Sequence, residues 1–264
     1  MTNAGCTSYP HRLLTINIFH LDVTMKPEPA RPKNASTIIL VRPEASGKFE
    51  IFLTLRPAEM EFMGGFYVFP GGSVEEEDYS EEMLMRCRGL TRTEAQQILG
   101  GELSPGLSIG HSVATIRELF EETGILLSVT ENGEPVDTRQ NKLKERLAEK
   151  REALVQGRID LRFLLESEGL YGDLSCPVYF SHRVTPEKYA TRFDTRFYLA
   201  QLPPDQSPLF SSQEVTESLW MTPERALDRS QKENLPLMPP TLAALRTLAA
   251  FDSWQSLRNH YQLR

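Results

Sequence analysis

The sequence predicts a mixed class, α/β or α+β, because runs of strand length interleave irregularly with longer stretches of helical period. Three observations carry this. Residues 35–42 (ASTIILVR) and 49–56 (FEIFLTLR) are rich in β-branched and apolar residues and flank a short polar turn, the pattern of a hairpin. Residues 109–122 place Val113, Ile116, Leu119 and Phe120 at helical spacing, and residues 138–170 do the same with Leu143, Leu147, Leu154, Ile159, Phe163 and Leu164. Strand-like runs then return at 177–184, 192–202 and 218–221.

Taken in order, residues 1–33 hold Pro10, Pro27, Pro29 and Pro32 with little pattern and read as a poorly ordered leader. Residues 34–264 read as one domain. A third short strand is expected at 64–69, leading into the turn Pro70-Gly71-Gly72. An excursion at about 79–110 carries helical stretches near 80–88 and 91–99, the second opened by a Thr91/Glu94 capping box. The central helix follows at 109–122, then a strand at 125–130 and one or two charged helices over 138–170. A helix starts at 223–228, and a last one runs from about Thr241 to Tyr261.

The most informative stretch is residues 117–125 (RELFEETGI). Glu118, Glu121 and Glu122 stand at i, i+3 and i+4, on one helix face. Gly124 occupies the place of a left-handed C-cap. The acids therefore sit at the negative end of the helix dipole, unfavourable by roughly 0.3–1 kcal/mol each. Something positive is expected to offset this, and a divalent cation with oxygen ligands fits best; a solvated acidic helix face is the alternative reading. Upstream, residues 66–75 (FYVFPGGSVE) form an apolar strand, a glycine turn that lets the backbone approach a ligand, and acids.

These pieces together resemble the Nudix box, G-x5-E-x7-R-E-U-x-E-E-x-G-U, of the Nudix hydrolases. Residues 117–125 match every fixed position of its second half, and Gly72 matches the first glycine. The first acid is Asp78, or Glu77 just before it, and 38 residues separate Asp78 from Arg117. A box split by an insertion resembles the coenzyme A diphosphatase subgroup. Residues 182–200, 214–226 and 237–241 resemble later segments of that subgroup.

The resemblance implies an α/β/α sandwich with a mixed sheet, a helical insertion and extra C-terminal helices. It implies Mg²⁺ or Mn²⁺ held by Glu118, Glu121 and Glu122, with a carbonyl of Gly71 or Gly72. It implies that Arg117 orients one of the glutamates through a bidentate pair. The reaction implied is hydrolysis of a diphosphate linking a nucleoside to another group, coenzyme A or acyl-coenzyme A foremost. ADP-ribose, NADH or nucleoside triphosphates, and a non-catalytic nucleotide-binding module, are the alternatives. For the water-activating base Glu214 comes first and Glu217 second, with a box glutamate as a further option. Arg183, Arg192 and Arg196 are candidates for clamping phosphates. An internal ion pair with Asp194 is the competing reading. Arg56 is a candidate for the diphosphate. Trp220 is a core or base-stacking residue, and His182 is structural.

Composition narrows the rest. The chain has 264 residues, 40% hydrophobic and 25% charged, with a net charge of −7, which argues against broad nucleic-acid or anionic-membrane binding. Cys6, Cys87 and Cys176 form neither a metal spacing nor a disulfide framework. No apolar run approaches the ~20 residues of a membrane span. The chain ends Gln262-Leu263-Arg264, unlike the S-K-L address, so a cytoplasmic location is expected. A homodimer is possible, with residues 79–110 as lid, dimer contact or plain excursion.

Overall fold

Strands β1 (Lys33–Pro43) and β2 (Phe49–Leu55) form the expected antiparallel hairpin, in register Val41 with Ile51. The turn between them closes with Glu44 N–H donating to Lys48 O at 2.9 Å. The computed structural model describes Met1 and residues 30–60, 62–209 and 215–264, so most of the expected leader, and Glu214, lie outside the described residues.

Strand β3 (Tyr67–Val68) pairs with β2, and β4 (Gly71–Ser73) pairs with β1. The third strand is shorter than expected because residues 64–66 are used in a turn around Gly65, which takes φ +75°. A 3-10 turn (Glu76–Tyr79) and helix α1 (Glu81–Leu84) follow. The helix expected over 80–88 stops early. Its last residues enter β5 (Cys87–Arg88), whose backbone groups are claimed by a small separate sheet. Helix α2 (Arg92–Leu99) opens on the expected capping box: Glu94 N–H donates to Thr91 Oγ1 and Thr91 N–H to Glu94 Oε2.

Helix α3 (Pro105–Thr123) starts one turn earlier than expected. Ser104 accepts from Leu107 N–H at 3.2 Å and Pro105 holds the first helical position, so the Ser-Pro pair is an N-cap and not a turn. Its far end is as expected: Gly124 adopts φ +75°, which an L side chain rarely tolerates, and donates to Phe120 O.

Strand β6 (Ser128–Val129) is a short piece of the expected 125–130 strand and joins the small sheet, order β5-β7-β6 once β7 (Tyr171–Asp173) arrives. Between them stand helices α4 (Asn141–Val155) and α5 (Leu161–Ser167). Strands β8 (Val178–Val184), β9 (Phe193–Gln201) and β10 (Glu217–Met221) complete the main sheet, order β10-β2-β1-β9-β8. Among the described strands only β1 and β9 run parallel in it, so the sheet is mixed.

Helices α6 (Pro223–Lys232), α7 (Pro239–Leu248) and α8 (Trp254–Tyr261) end the chain. The single last helix expected from 241 to 261 is broken at 249–253. There Ser253 caps a new helix by accepting from Ser256 N–H at 3.2 Å.

Strand alternation sends β1 side chains to two cores. Ile38 and Leu40 join Phe52, Ile116, Leu119 and Phe120 under α3, while Ile39 and Val41 join Ile51, Leu199 and Leu245 under the C-terminal helices. Helices on both faces of a mixed sheet make the α/β/α sandwich. Each fully buried Leu, Ile or Phe contributes roughly 1.5–3 kcal/mol, which fixes α3 tightly on the sheet. Among the described residues no helix is long and apolar enough to cross a membrane.

Candidate active site at the end of the central helix

The acidic face of α3 is packed against β4. A Cβ on Gly72 would lie 2.5–2.7 Å from the Glu118 carboxylate atoms, so only glycine lets the backbone come this close. Glu118 and Glu122 are buried, Glu122 to 4% exposure. Burial pushes the Glu118 carboxyl up to about 7; Arg117 pulls it down and Glu121 adds to the rise.

Arg117 organises the cluster, and not as expected. Its two-pronged partner is Asp78: Nε donates to Oδ1 and Nη2 to Oδ2, both at 2.9 Å. The glutamates receive single prongs from Nη1, Glu118 at 2.7 Å and Glu121 at 3.4 Å. Nη2 also donates to Ser73 O at 2.8 Å. The physical reason is position. Asp78 lies on the 3-10 turn that packs on α3, and it is 2% exposed, so its charge has to be matched at once. It also accepts from Glu75 N–H at 2.9 Å. Burial acts to lower the Arg117 pKa, but Asp78, with Glu118 and Glu121, outweighs it, and the net direction is upward.

Arg56, at the end of β2, reaches the same face, with Nη1 3.9 Å from Glu122 Oε1. Its Nε is buried without a hydrogen-bond partner. The other three arginines do not come together. Arg183 is exposed and bonds its neighbour's carbonyl, His182 O, at 2.7 Å. It pairs across from Thr195, so it points to the opposite face from Arg196. Arg192 is spent on Thr185 O at 3.0 Å and Ala30 O at 2.7 Å. Arg196 is 5% exposed and paired with Asp194, which also holds His182, so the internal ion pair is the arrangement present. Trp220 packs on Phe52, with Arg42 stacked 4.2 Å over its ring.

Glu214 lies outside the described residues. The described residues on either side of it are anchored to α3 and to β2: Leu209 N–H donates to Thr123 O at 2.8 Å and Thr216 N–H to Leu55 O at 2.9 Å. Glu217 begins β10 and accepts from Tyr67 Oη at 3.1 Å.

Among the described residues no three acidic, histidine or cysteine side chains are already gathered around one point as ligands would be. The donor set nonetheless fits a hard divalent cation: three carboxylates on one turn, a close glycine backbone, and a Glu118 carboxyl driven up by burial, against the pull of Arg117.

Two residues escaped the sequence reading. Asp78 as the arginine's partner was signalled by its place six positions after Gly72. Arg151, which donates to carbonyls at the end of α3, carries no sequence signal, being one of many charges on α4.

Comparison with known proteins agrees with this architecture. A family model described as the NUDT19 Nudix domain matches residues 87–248, taking in the whole of 117–125 but beginning after Gly72 and Asp78. An acyl-coenzyme A diphosphatase NUDT19 of Gallus gallus is 30% identical over 244 residues, 79% of this chain and 63% of the relative. The protein of the same name in Xenopus laevis is 26% identical over 233 residues, 77% of this chain and 60% of the relative. The chain thus spans somewhat under two thirds of the length of these relatives. A solved NUDIX hydrolase from Alicyclobacillus acidocaldarius is similar in fold, with a TM-score of 0.67 at 28% identity over 85% of this chain and 94% of that one. Matched by its family model over more than half its length, in a sandwich of the same kind, the protein belongs to the Nudix hydrolase family.

Proposed function

We propose that the protein is a divalent-metal-dependent pyrophosphohydrolase acting on coenzyme A or acyl-coenzyme A, releasing 3′,5′-ADP and the (acyl-)phosphopantetheine. The observation that carries this is the packing of the Glu118 carboxylate against the Gly72 backbone, with Asp78 and Arg117 locked behind it. The relatives named acyl-coenzyme A diphosphatase support the substrate class.

Glu118, Glu121 and Glu122 are the groups proposed to hold Mg²⁺ or Mn²⁺. When bound, the metal neutralises phosphate charge and favours ionisation of the attacking water. Arg117 bridges Glu118 and Glu121 through Nη1 and is itself tied to Asp78, so the acids stay oriented between turnovers. Arg56, whose Nη1 lies 3.9 Å from Glu122 Oε1, is the group proposed to donate to a diphosphate oxygen. Glu214 is the proposed base, because its segment is pinned at one end to α3 and at the other to β2. Reaction then rests on positioning and charge stabilisation more than on covalent chemistry. A cytoplasmic location and a small-molecule substrate belong to the same reading.

The test is a substrate panel with the purified protein and Mg²⁺ or Mn²⁺: coenzyme A, an acyl-coenzyme A, ADP-ribose, NADH and a nucleoside triphosphate, with product masses recorded. Preferred release of 3′,5′-ADP is expected. Preference for ADP-ribose or NADH would sink the substrate class and keep the chemistry. Binding of nucleotide without turnover on any substrate would replace the enzyme by a binding module.

A further inference from the structure

Helix α3 ends in a charge problem that it does not solve alone. It has no basic residue in its last turn, yet that turn bears Glu121 and Glu122 at the negative end of the dipole. The last-turn carbonyls also lack donors within the helix. Arg151 meets both needs from another helix. Its Nε donates to Phe120 O at 3.0 Å, and its Nη2 donates to the carbonyl of Glu121. Phe120 O is shared with the Gly124 N–H at 2.9 Å, so the arginine completes the glycine cap.

The delivery is rigid. Leu147, Arg151 and Leu154 stand at i, i+4 and i+7, on one face of α4. Leu147 and Leu154 are buried in the same core as Leu119 and Phe120 of α3. The guanidinium thus arrives on a packed scaffold, and two of its nitrogens are spent on backbone oxygens. Its charge offsets the acids while its fork fixes the backbone from which Glu121 and Glu122 depart. A lysine supplies the charge without the fork.

We propose that Arg151 is a positioning residue for the acidic end of α3, setting metal affinity and turnover through the backbone of Glu121. This rests on the reading of α3 as the metal- and diphosphate-binding helix. An ordinary helix cap alters stability alone; a positioning residue alters affinity for the cation and kcat at temperatures where the fold is intact.

The test uses the full chain with Arg151→Ala and Arg151→Lys. Mn²⁺ dissociation constants are read from the spin-resonance signal of free Mn²⁺, kcat and KM from the substrate that the wild type turns over, and amide exchange over residues 120–126 without metal. Arg151→Ala is expected to weaken Mn²⁺ binding and lower kcat each about tenfold, with KM little changed and exchange accelerated. Arg151→Lys is expected to recover Mn²⁺ affinity more than kcat. Wild-type Mn²⁺ affinity and kcat in a folded Arg151→Ala, with only a lowered melting temperature, would overturn the proposal and leave a plain cap. Should Arg151→Ala not fold, Arg151→Lys decides: a kcat deficit supports the proposal, and wild-type values throughout overturn it. A wild type that binds no Mn²⁺ would remove the metal reading, and this inference with it. A wild type that binds and turns over, beside an unaffected variant, would remove the inference alone.

Discussion

Asp78 and Arg117, 39 positions apart, meet through two parallel hydrogen bonds of 2.9 Å, with Asp78 buried and Arg117 largely so. The two halves of the motif, far apart in sequence, are joined in space. The chain after Asp78 leaves along α3 and returns to it at Pro105, so the excursion is a loop on a closed base.

The pair is expected to be costly to break. Asp78→Ala leaves the Arg117 guanidinium buried with its main partner gone, a loss on the order of 3–5 kcal/mol. Asp78→Asn keeps the shape and loses less. Thermal or urea unfolding without metal measures both, and an unchanged midpoint for Asp78→Ala would mean that the pair bears no weight.

Gly72→Ala tests the close approach. Its added Cβ would fall 2.5 Å from Glu118 Oε1, and the carboxylate must move. Because the far end of a side chain yields more easily than a strand, the fold is expected to survive. Turnover is expected to fall by roughly a hundredfold, the scale of a misplaced reacting group. Steady-state kinetics beside a circular dichroism spectrum gives the answer, and full activity would dissociate Gly72 from the site.

Glu118 gives a pH signature. Its carboxyl sits at about 7 in the folded protein against an ordinary 4.5, chiefly through burial. Between those values the folded state keeps a proton that the unfolded state releases. Stability is therefore lost as pH rises through that window, with the full penalty above pH 7. Glu118→Gln is expected to be more stable than the wild type at pH 8 without metal, and the gap to shrink toward pH 4.5. Mn²⁺ is expected to stabilise the wild type and not the variant. Unfolding curves that stay parallel across this range would contradict the account.

His111 has the opposite sign. It is fully buried in α3, with Nδ1 3.0 Å from Ser36 Oγ. Burial first, and then Arg196 and His182, push it down to about 4 from an ordinary 6.5, with Asp194 and a backbone hydrogen bond at Ala35 acting against them. The unfolded state takes up a proton that the folded state refuses, so stability is lost as pH falls from 6.5 toward 4. The wild type is expected to lose stability relative to His111→Gln as pH falls through that interval, read from the difference between their denaturant midpoints. A wild-type slope in the variant would assign the acid sensitivity to other groups.

The sequence was most readable where local chemistry decides the outcome. The hairpin of β1 and β2, the capping box at Thr91 and the left-handed Gly124 follow from residue types within a few positions of one another. It was least readable where distant chain competes. Residues 87–88 were drawn from a helix into a strand by partners at 172–173, and Pro105 opens α3 inside the stretch read as part of the excursion. The site divides in the same way. The acids of α3 announce themselves by spacing. The partners of Arg196 and the reach of Arg151 depend on how whole elements pack, which no local pattern encodes.

The parallel pairing of β1 with β9 sets Lys33 beside Phe193 and Val41 beside Gln201, a span of 160 residues. On a ribosome adding about 5–20 residues each second, β1 waits roughly ten to thirty seconds for that neighbour to be made. Through that interval the edge of a strand as apolar as Ile38-Ile39-Leu40-Val41 stays uncovered. The nascent chain is thus most exposed to misassembly before its last third emerges, and holdase chaperones have their natural point of entry there.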